Sequence, residues 1–178
     1  NYEQKFNIEG KGKIKVLKEF KKHNNLSIVN LDFFLRTYNS YDIIDGSAQQ
    51  YKYFSLNDLS YKLESCCAKD SKELMVTGSY IKDKISYNLY DPDSNYQIYF
   101  AIDDSDSDPA MRMNPLDRIF GLLIINTDPC YCSDNKNLSI VVICANSFDK
   151  KHLRGIGQYL LLFSYILSYL LGFEKIII

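Results

Sequence analysis

The feature that most constrains this chain is the run from Tyr159 to Leu171, reading YLLLFSYILSYLL, with no charge in it. It falls short of the roughly 20 apolar residues that a bilayer-spanning helix needs. Gly172 closes it, and Glu174 and Lys175 follow at once. A helix that is apolar nearly all round must be covered nearly all round. The run therefore predicts a buried helix from Gly157 to about Leu171, stopped by a C′ glycine at Gly172. A membrane-attached chain is the alternative, because Lys150, Lys151, His152 and Arg154 precede the run.

The partner for such a helix is a sheet, and strand signals lie on both sides of it. Tyr96–Ile102 is rich in β-branched and aromatic residues, and Arg118–Ile125 is apolar with one internal glycine, Gly121. Leu138–Ala145 is continuously apolar, which predicts a strand covered on both faces. Lys175–Ile178 begins another strand. The order is strand, strand, strand, helix, strand, and the final crossover should set two parallel strands side by side.

Upstream the signals are shorter. Lys13–Val16 alternates as a strand does, among six lysines between Lys11 and Lys22. Without interleaved aromatics that lysine stretch reads as a solvated sheet edge rather than a nucleic-acid patch. Asn30 is placed to cap a helix through Leu35, and Ser55 to cap one from Leu56 to about Cys67. Leu74–Tyr80 reads as extended, Ile81–Tyr90 fits helix or strand, and Asp91–Asn95 is a turn by composition.

The 178 residues fit a single domain. With 21 basic against 22 acidic groups the net charge is −1, which sets aside nucleic acid and anionic membranes as main partners. The five cysteines (66, 67, 130, 132 and 144) are odd in number and sparse for a disulfide scaffold, and Cys130-Tyr-Cys132 has the wrong spacing for zinc. The expectation is reduced thiols, a cytoplasmic protein and no metal. Asp104, Asp106 and Asp108 begin like a calcium loop, but Pro109 and Pro115 stand where glycine and glutamate are needed. The chain starts at Asn1 and stops inside Ile176–Ile178, so both ends are expected to be cut.

The chemistry concentrates between the third strand and the helix, in Asp149-Lys150-Lys151-His152-Leu153-Arg154-Gly155-Ile156-Gly157. Two glycines one residue apart permit a sharp turn that aims successive amides into one concavity at a helix N-terminus. With three cations alongside, such a place suits a phosphate or pyrophosphate. It is neither a P-loop nor a dinucleotide fingerprint, since Leu160 occupies the third glycine position. The glycines alone fit a plain strand–helix turn as well.

Here the sequence resembles the GNAT-type N-acetyltransferases, whose acetyl-CoA motif is Gln/Arg-x-x-Gly-x-Gly/Ala between a core strand and a helix. The matching stretch is His152-Leu153-Arg154-Gly155-Ile156-Gly157, followed by Gln158-Tyr159-Leu160-Leu161. The glycine in Ile119–Leu123 and the strand after Gly172-Phe173 also fit. The resemblance spans roughly residues 96–178. It departs at His152, in a slightly longer turn before the motif, and after Ile178, where the family continues with a helix and two strands.

The resemblance implies an α/β (α+β) fold, with a mixed, mostly antiparallel central sheet flanked by helices and a parallel pair around the cofactor cleft. Residues 1–178 would form one domain, with a divergent part over 1–95 and an acetyl-CoA-binding core over 96–178. Backbone around Cys144, Ala145 and Asn146 would hold the pantetheine arm. The amides of His152, Leu153, Arg154, Gly155, Ile156, Gly157 and Gln158 would hold the pyrophosphate. The activity implied is transfer of acetyl from acetyl-CoA to an amine, on a small molecule or protein, by direct attack in a ternary complex. The third strand carries no Glu, so the base candidates are Asp149, His152 and Asp103, and no catalytic side chain is fixed. The alternatives are a GNAT-like module without turnover and an unrelated α/β protein. The cover for the apolar helix is either the Lys-rich N-terminal region or the second subunit of a homodimer.

Overall fold

The computed structural model describes residues 6–9, 13–16, 26–39, 42–44, 48–50, 54–67, 78–91, 94–103, 114–127, 137–145 and 155–178. In chain order these form β1 (Phe6–Glu9), β2 (Lys13–Val16), β3 (Leu26–Asn30), α1 (Leu31–Tyr38), β4 (Asp42–Ile44), β5 (Ala48–Gln50), α2 (Leu56–Cys67), α3 (Gly78–Tyr90), β6 (Tyr96–Asp103), a 3₁₀ turn (Pro115–Arg118), β7 (Ile119–Asn126), β8 (Asn137–Ala145), α4 (Ile156–Leu170) and β9 (Lys175–Ile177). One seven-stranded sheet runs β1-β2-β3-β6-β7-β8-β9, and β4 and β5 pair separately. All neighbours in the large sheet are antiparallel except β8 and β9, which are parallel. The expected fold class and the expected order of the last five elements are what the structure shows.

Helix caps form where short polar side chains precede apolar runs. Asn30 accepts from the Phe33 amide at 2.7 Å. Ser55 and Asp58 exchange bonds, with the Asp58 amide donating to Ser55 Oγ at 3.1 Å and the Ser55 amide donating to Asp58 Oδ2 at 2.9 Å. These bonds hold the Asp58 carboxyl below its usual range. At the end of α4, Gly172 (φ 74°) donates to the Tyr169 carbonyl at 3.2 Å, and Phe173 donates to that of Ser168 at 2.9 Å. That double bond pattern is a Schellman stop, and it needs the left-handed glycine foreseen at this position.

The sheet is covered on both faces. On one, α1, α2 and α3 bury Phe34, Leu35, Leu59, Leu63, Ile81 and Ile85 against Ile98, Phe100, Ile102, Leu122 and Ile124. Phe34 meets Phe100 edge-on at 5.1 Å, an arrangement worth about 0.5–1.5 kcal/mol beyond area burial. On the other face α4 buries Ile156, Tyr159, Leu160 and Phe163 against Ile28, Ala101, Leu123, Ile125 and Leu138. Asn39, fully buried, closes the chain after α1: its side chain donates to the Phe54 carbonyl (2.9 Å) and accepts from the Phe54 amide (3.1 Å).

Three expectations are corrected. Gly78–Tyr80, read as extended, opens α3; residues 71–77 lie outside those described. β8 is half-buried over most of its length, because β9 pairs with only its first three residues. Of the Lys-rich N-terminal region offered as cover for the outer face of α4, only strand β2 lies within the described residues, where it pairs with β1 and β3. Tyr165, Tyr169, Leu170 and Leu171 of α4 and its cap are exposed. Finally, Cys144 is not a free thiol but disulfide-bonded.

Candidate functional site

The site grows from how closely α4 approaches the sheet. Ala101, Gly121 and Ala145 are opposite one another on β6, β7 and β8, a row of small residues facing α4. A Cβ on Gly121 would stand 2.8 Å from Ile156 Cγ2, 2.9 Å from Leu160 Cδ1 and 3.1 Å from the Cys144 carbonyl. Only a glycine lets the first turn of α4 rest there. Because β8 runs antiparallel to β7, its C-terminal residues end beside that turn.

Gly155 is the N-cap of α4 at φ 94°, ψ 5°, a left-handed conformation that favours glycine. The first helical bond runs from the Tyr159 amide to the Gly155 carbonyl at 2.8 Å. The amides of Ile156, Gly157 and Gln158 therefore precede the helical ladder. Among the described residues no side chain caps them, and no acidic residue lies in the first turn to offset the positive end of the dipole. Gly157 is different again. A Cβ there would meet nothing within 4 Å, and its φ is not positive. Neither packing nor backbone geometry asks for a glycine that costs a helix roughly 0.5–1 kcal/mol relative to alanine.

The second half of the site is the edge of β8. Its parallel pairing with β9 covers Asn137, Leu138 and Ser139 only. From Ile140 to Ala145, among the described residues, that edge carries no neighbouring strand. Within this stretch the register with β7 slips. Ile125 pairs with Ile140 and Ile124 with Val142, so Val141 is an extra residue in β8. Such a bulge leaves a residue out of the ladder and sharpens the local twist. It also puts Val141 and Val142 together on the α1–α3 face, and turns Ile143 and Ala145 to α4 and Cys144 away from it.

Of the residues singled out from the sequence, the structure gathers Cys144, Ala145, Gly155, Ile156, Gly157 and Gln158 at this end of the sheet. Asn146, Asp149, His152, Leu153 and Arg154 lie outside the described residues. Asp103 ends β6, two residues past Ala101 and on the far side of the small-residue row from the bulge. One strand, β7, and so two inter-strand spacings of roughly 10 Å together, separate it from β8. Its carbonyl accepts from Arg118 Nη1 at 3.2 Å, and the Arg118 guanidinium lies 5.0 Å over the Tyr38 ring. The bulge at Val141 and the helix-seating role of Gly121 were not foreseen. A continuously apolar strand has no alternation for a bulge to interrupt.

Two tyrosines titrate high because they are buried: Tyr99 is pushed up to about 12, and Tyr159 further in the same direction. The Tyr99 hydroxyl donates to Gln97 Oε1 at 2.7 Å and its ring meets Phe163 edge-on at 4.8 Å. Tyr159, fully buried, and Tyr99, partly buried, both pack between α4 and the sheet. Among the described residues no group of three or more His, Cys, Asp or Glu is arranged to hold a metal, and no helix is long and apolar enough to cross a membrane.

No protein-family model matches the sequence, and no curated protein does. The fold is similar to several solved structures at low identity. One is a GNAT family acetyltransferase from Staphylococcus aureus, at 19% identity and TM-score 0.44 over 70% of this chain and 80% of that one. Another is an aminoglycoside acetyltransferase from an uncultured soil metagenomic sample, at 15% and 0.46 over 86% and 76%. A third is a ribosomal-protein-alanine N-acetyltransferase from Brucella melitensis, at 13% and 0.42 over 70% and 74%. What the site can do follows from its own geometry.

Proposed function

We propose that this chain is an acetyl-CoA-dependent N-acetyltransferase. The observation that carries the reading is Gly157: a glycine in the first turn of α4, where among the described residues no side chain caps the helix and a Cβ would meet nothing within 4 Å. Three amides ahead of the helical ladder, at a positive dipole end, suit a pyrophosphate. The β8 edge, which among the described residues has no neighbouring strand beyond Ser139, leads away from that point for six residues, roughly 20 Å, and presents backbone groups to an extended amide-bearing arm such as pantetheine. The residues present therefore fit the group that the sequence resemblance implies.

In the reaction proposed, an amine attacks the thioester carbonyl, a C–N bond forms, the C–S bond breaks and CoA leaves as its thiol. A backbone N–H freed at the β8 bulge would polarise the carbonyl. Holding both reactants on one rigid sheet would supply much of the rate. The ammonium proton has to pass to a base, for which Asp149 and His152 remain the proposals, while Asp103 stands across the sheet from the bulge. A second reading, a CoA-binding module without turnover, is favoured by the absence of Asp, Glu and His from Asn137–Ala145.

The test is calorimetric titration with acetyl-CoA, paired with thiol release from acetyl-CoA across a panel of small amines and peptide N-termini. Binding with amine-dependent release supports the enzyme. Binding without release supports the module, and no binding removes both. Gly155→Glu, which places a carboxylate at the proposed phosphate position, should abolish binding.

A further inference from the structure

We propose that the disulfide at Cys144 is a redox-sensitive anchor for this site, so that opening it weakens the hold on CoA; this rests on the CoA reading above. Cys144 is disulfide-bonded and half-buried, and the bulge at Val141 turns it toward the layer of α1, α2 and α3. Its partner is one of Cys66, Cys67, Cys130 and Cys132. Cys144 is the last residue but one of β8. Beyond Ala145 the chain runs through residues 146–154 to the Gly155 cap, so this bond ties down the strand where the two halves of the site join. The Cys144 carbonyl also lies 3.1 Å from the Cβ position of Gly121, where α4 is seated. A disulfide is rare in a reducing compartment, and those found there are usually transient and redox-sensing.

The chemistry is thiol–disulfide exchange with a dithiol. A thiolate attacks one sulfur of the disulfide, the resulting mixed disulfide is resolved by the second thiol, and two cysteine thiols and one cyclic disulfide result. With the tie cut, the end of β8 regains freedom that binding must remove. Ordering one further residue is worth about tenfold in affinity.

The full chain would be titrated with acetyl-CoA, whose sulfur is blocked against exchange. Three samples are compared: the oxidised protein, protein reduced by dithiothreitol and desalted without oxygen, and Cys144→Ser. Affinity about tenfold weaker in the reduced and Cys144→Ser forms supports the anchor, and equal affinity in all three overturns it. A non-reducing peptide map identifies the partner cysteine, and a map with Cys144 free also overturns the proposal. If no form binds acetyl-CoA, the CoA reading fails, and hydrogen exchange at Ile143–Ala145 then decides the anchor alone. Faster exchange on reduction supports it, and unchanged exchange sinks it.

Discussion

Two alanine substitutions, two residues apart, should move stability and binding in opposite ways. Gly155 sits at φ 94° with only Gln158 Oε1 within reach of a Cβ, at 4.0 Å. Gly155→Ala therefore meets no clash and suffers only the left-handed backbone, about 1–2 kcal/mol. For a chain of this length that lowers Tm by roughly 2–8 °C. Gly157→Ala meets no atom within 4 Å and no positive φ, so it should gain a few tenths of a kcal/mol of helix propensity, up to about 1. Its Tm should hold or rise by roughly 1–3 °C. Yet in the proposed complex its methyl group would stand before the Ile156–Gln158 amides and displace a phosphate oxygen from one of them. Losing one hydrogen bond to a charged group costs about 1.5–3 kcal/mol, or roughly 10- to 150-fold in acetyl-CoA affinity. Differential scanning calorimetry and isothermal titration on the same preparations read both quantities. A Gly157→Ala protein that is as stable as wild type and binds acetyl-CoA equally well would refute the claim that this glycine is kept for a ligand.

Gly121→Val should destabilise by about 1–3 kcal/mol through contact with Ile156 and Leu160, read as a lower urea midpoint at constant slope. Asn39→Ala breaks two buried bonds to Phe54 and strands its amide and carbonyl, for a loss of about 2–4 kcal/mol by thermal denaturation. Tyr99 is raised to about 12 from an ordinary 10 by burial, so the folded state favours its neutral form. That stabilisation is complete below pH 10 and is lost as pH rises toward 12; Tyr99→Phe should flatten this alkaline limb in pH-dependent melts, and an unchanged limb would assign it elsewhere. Deleting Val141 closes the ladder between Ile140–Ile125 and Val142–Ile124 without turning any other side chain, so the protein should fold while amine-dependent thiol release falls about 10²-fold. Wild-type turnover by that variant would remove the bulge from the mechanism.

Much of the fold was legible because the signals were local and strong. Asn30, Ser55 and Gly172 each act within a few residues of their own position, and all three occupy the roles their chemistry suggests. The three strands and the crossover helix after Tyr96 follow from apolar runs too short for anything else in a chain of this charge. Gly78–Tyr80 misled because Leu74-Met75-Val76-Thr77 reads as a β-rich run directly before them, and propensity yields to tertiary packing. There Ile81 and Ile85, one turn apart, pull α3 onto the sheet. The partial cover of β8 was hidden for another reason. A continuous apolar run states how much a strand prefers burial, not how many neighbours it finds, and β9 reaches only as far as Ser139.

The candidate site was harder to read than the fold, and its materials explain why. The groups proposed to work there are main-chain amides and carbonyls: three at the start of α4 and those along the edge of β8 beyond its pairing with β9. Every residue carries such groups, so their presence leaves no mark in a sequence. Their use leaves one only where a side chain has been withheld. Gly121 is withheld for α4, Gly155 and Gly172 for their positive φ, and Gly157 for none of these. Val141 leaves no such mark, because a bulge is an extra residue rather than a special one. Among side chains that act as acids, bases or nucleophiles, Asp103 ends its strand two strands away from β8, while the glycine pair stands at the turn into α4. In a site made of backbone, a glycine with no internal reason says more about the ligand than any charged side chain nearby.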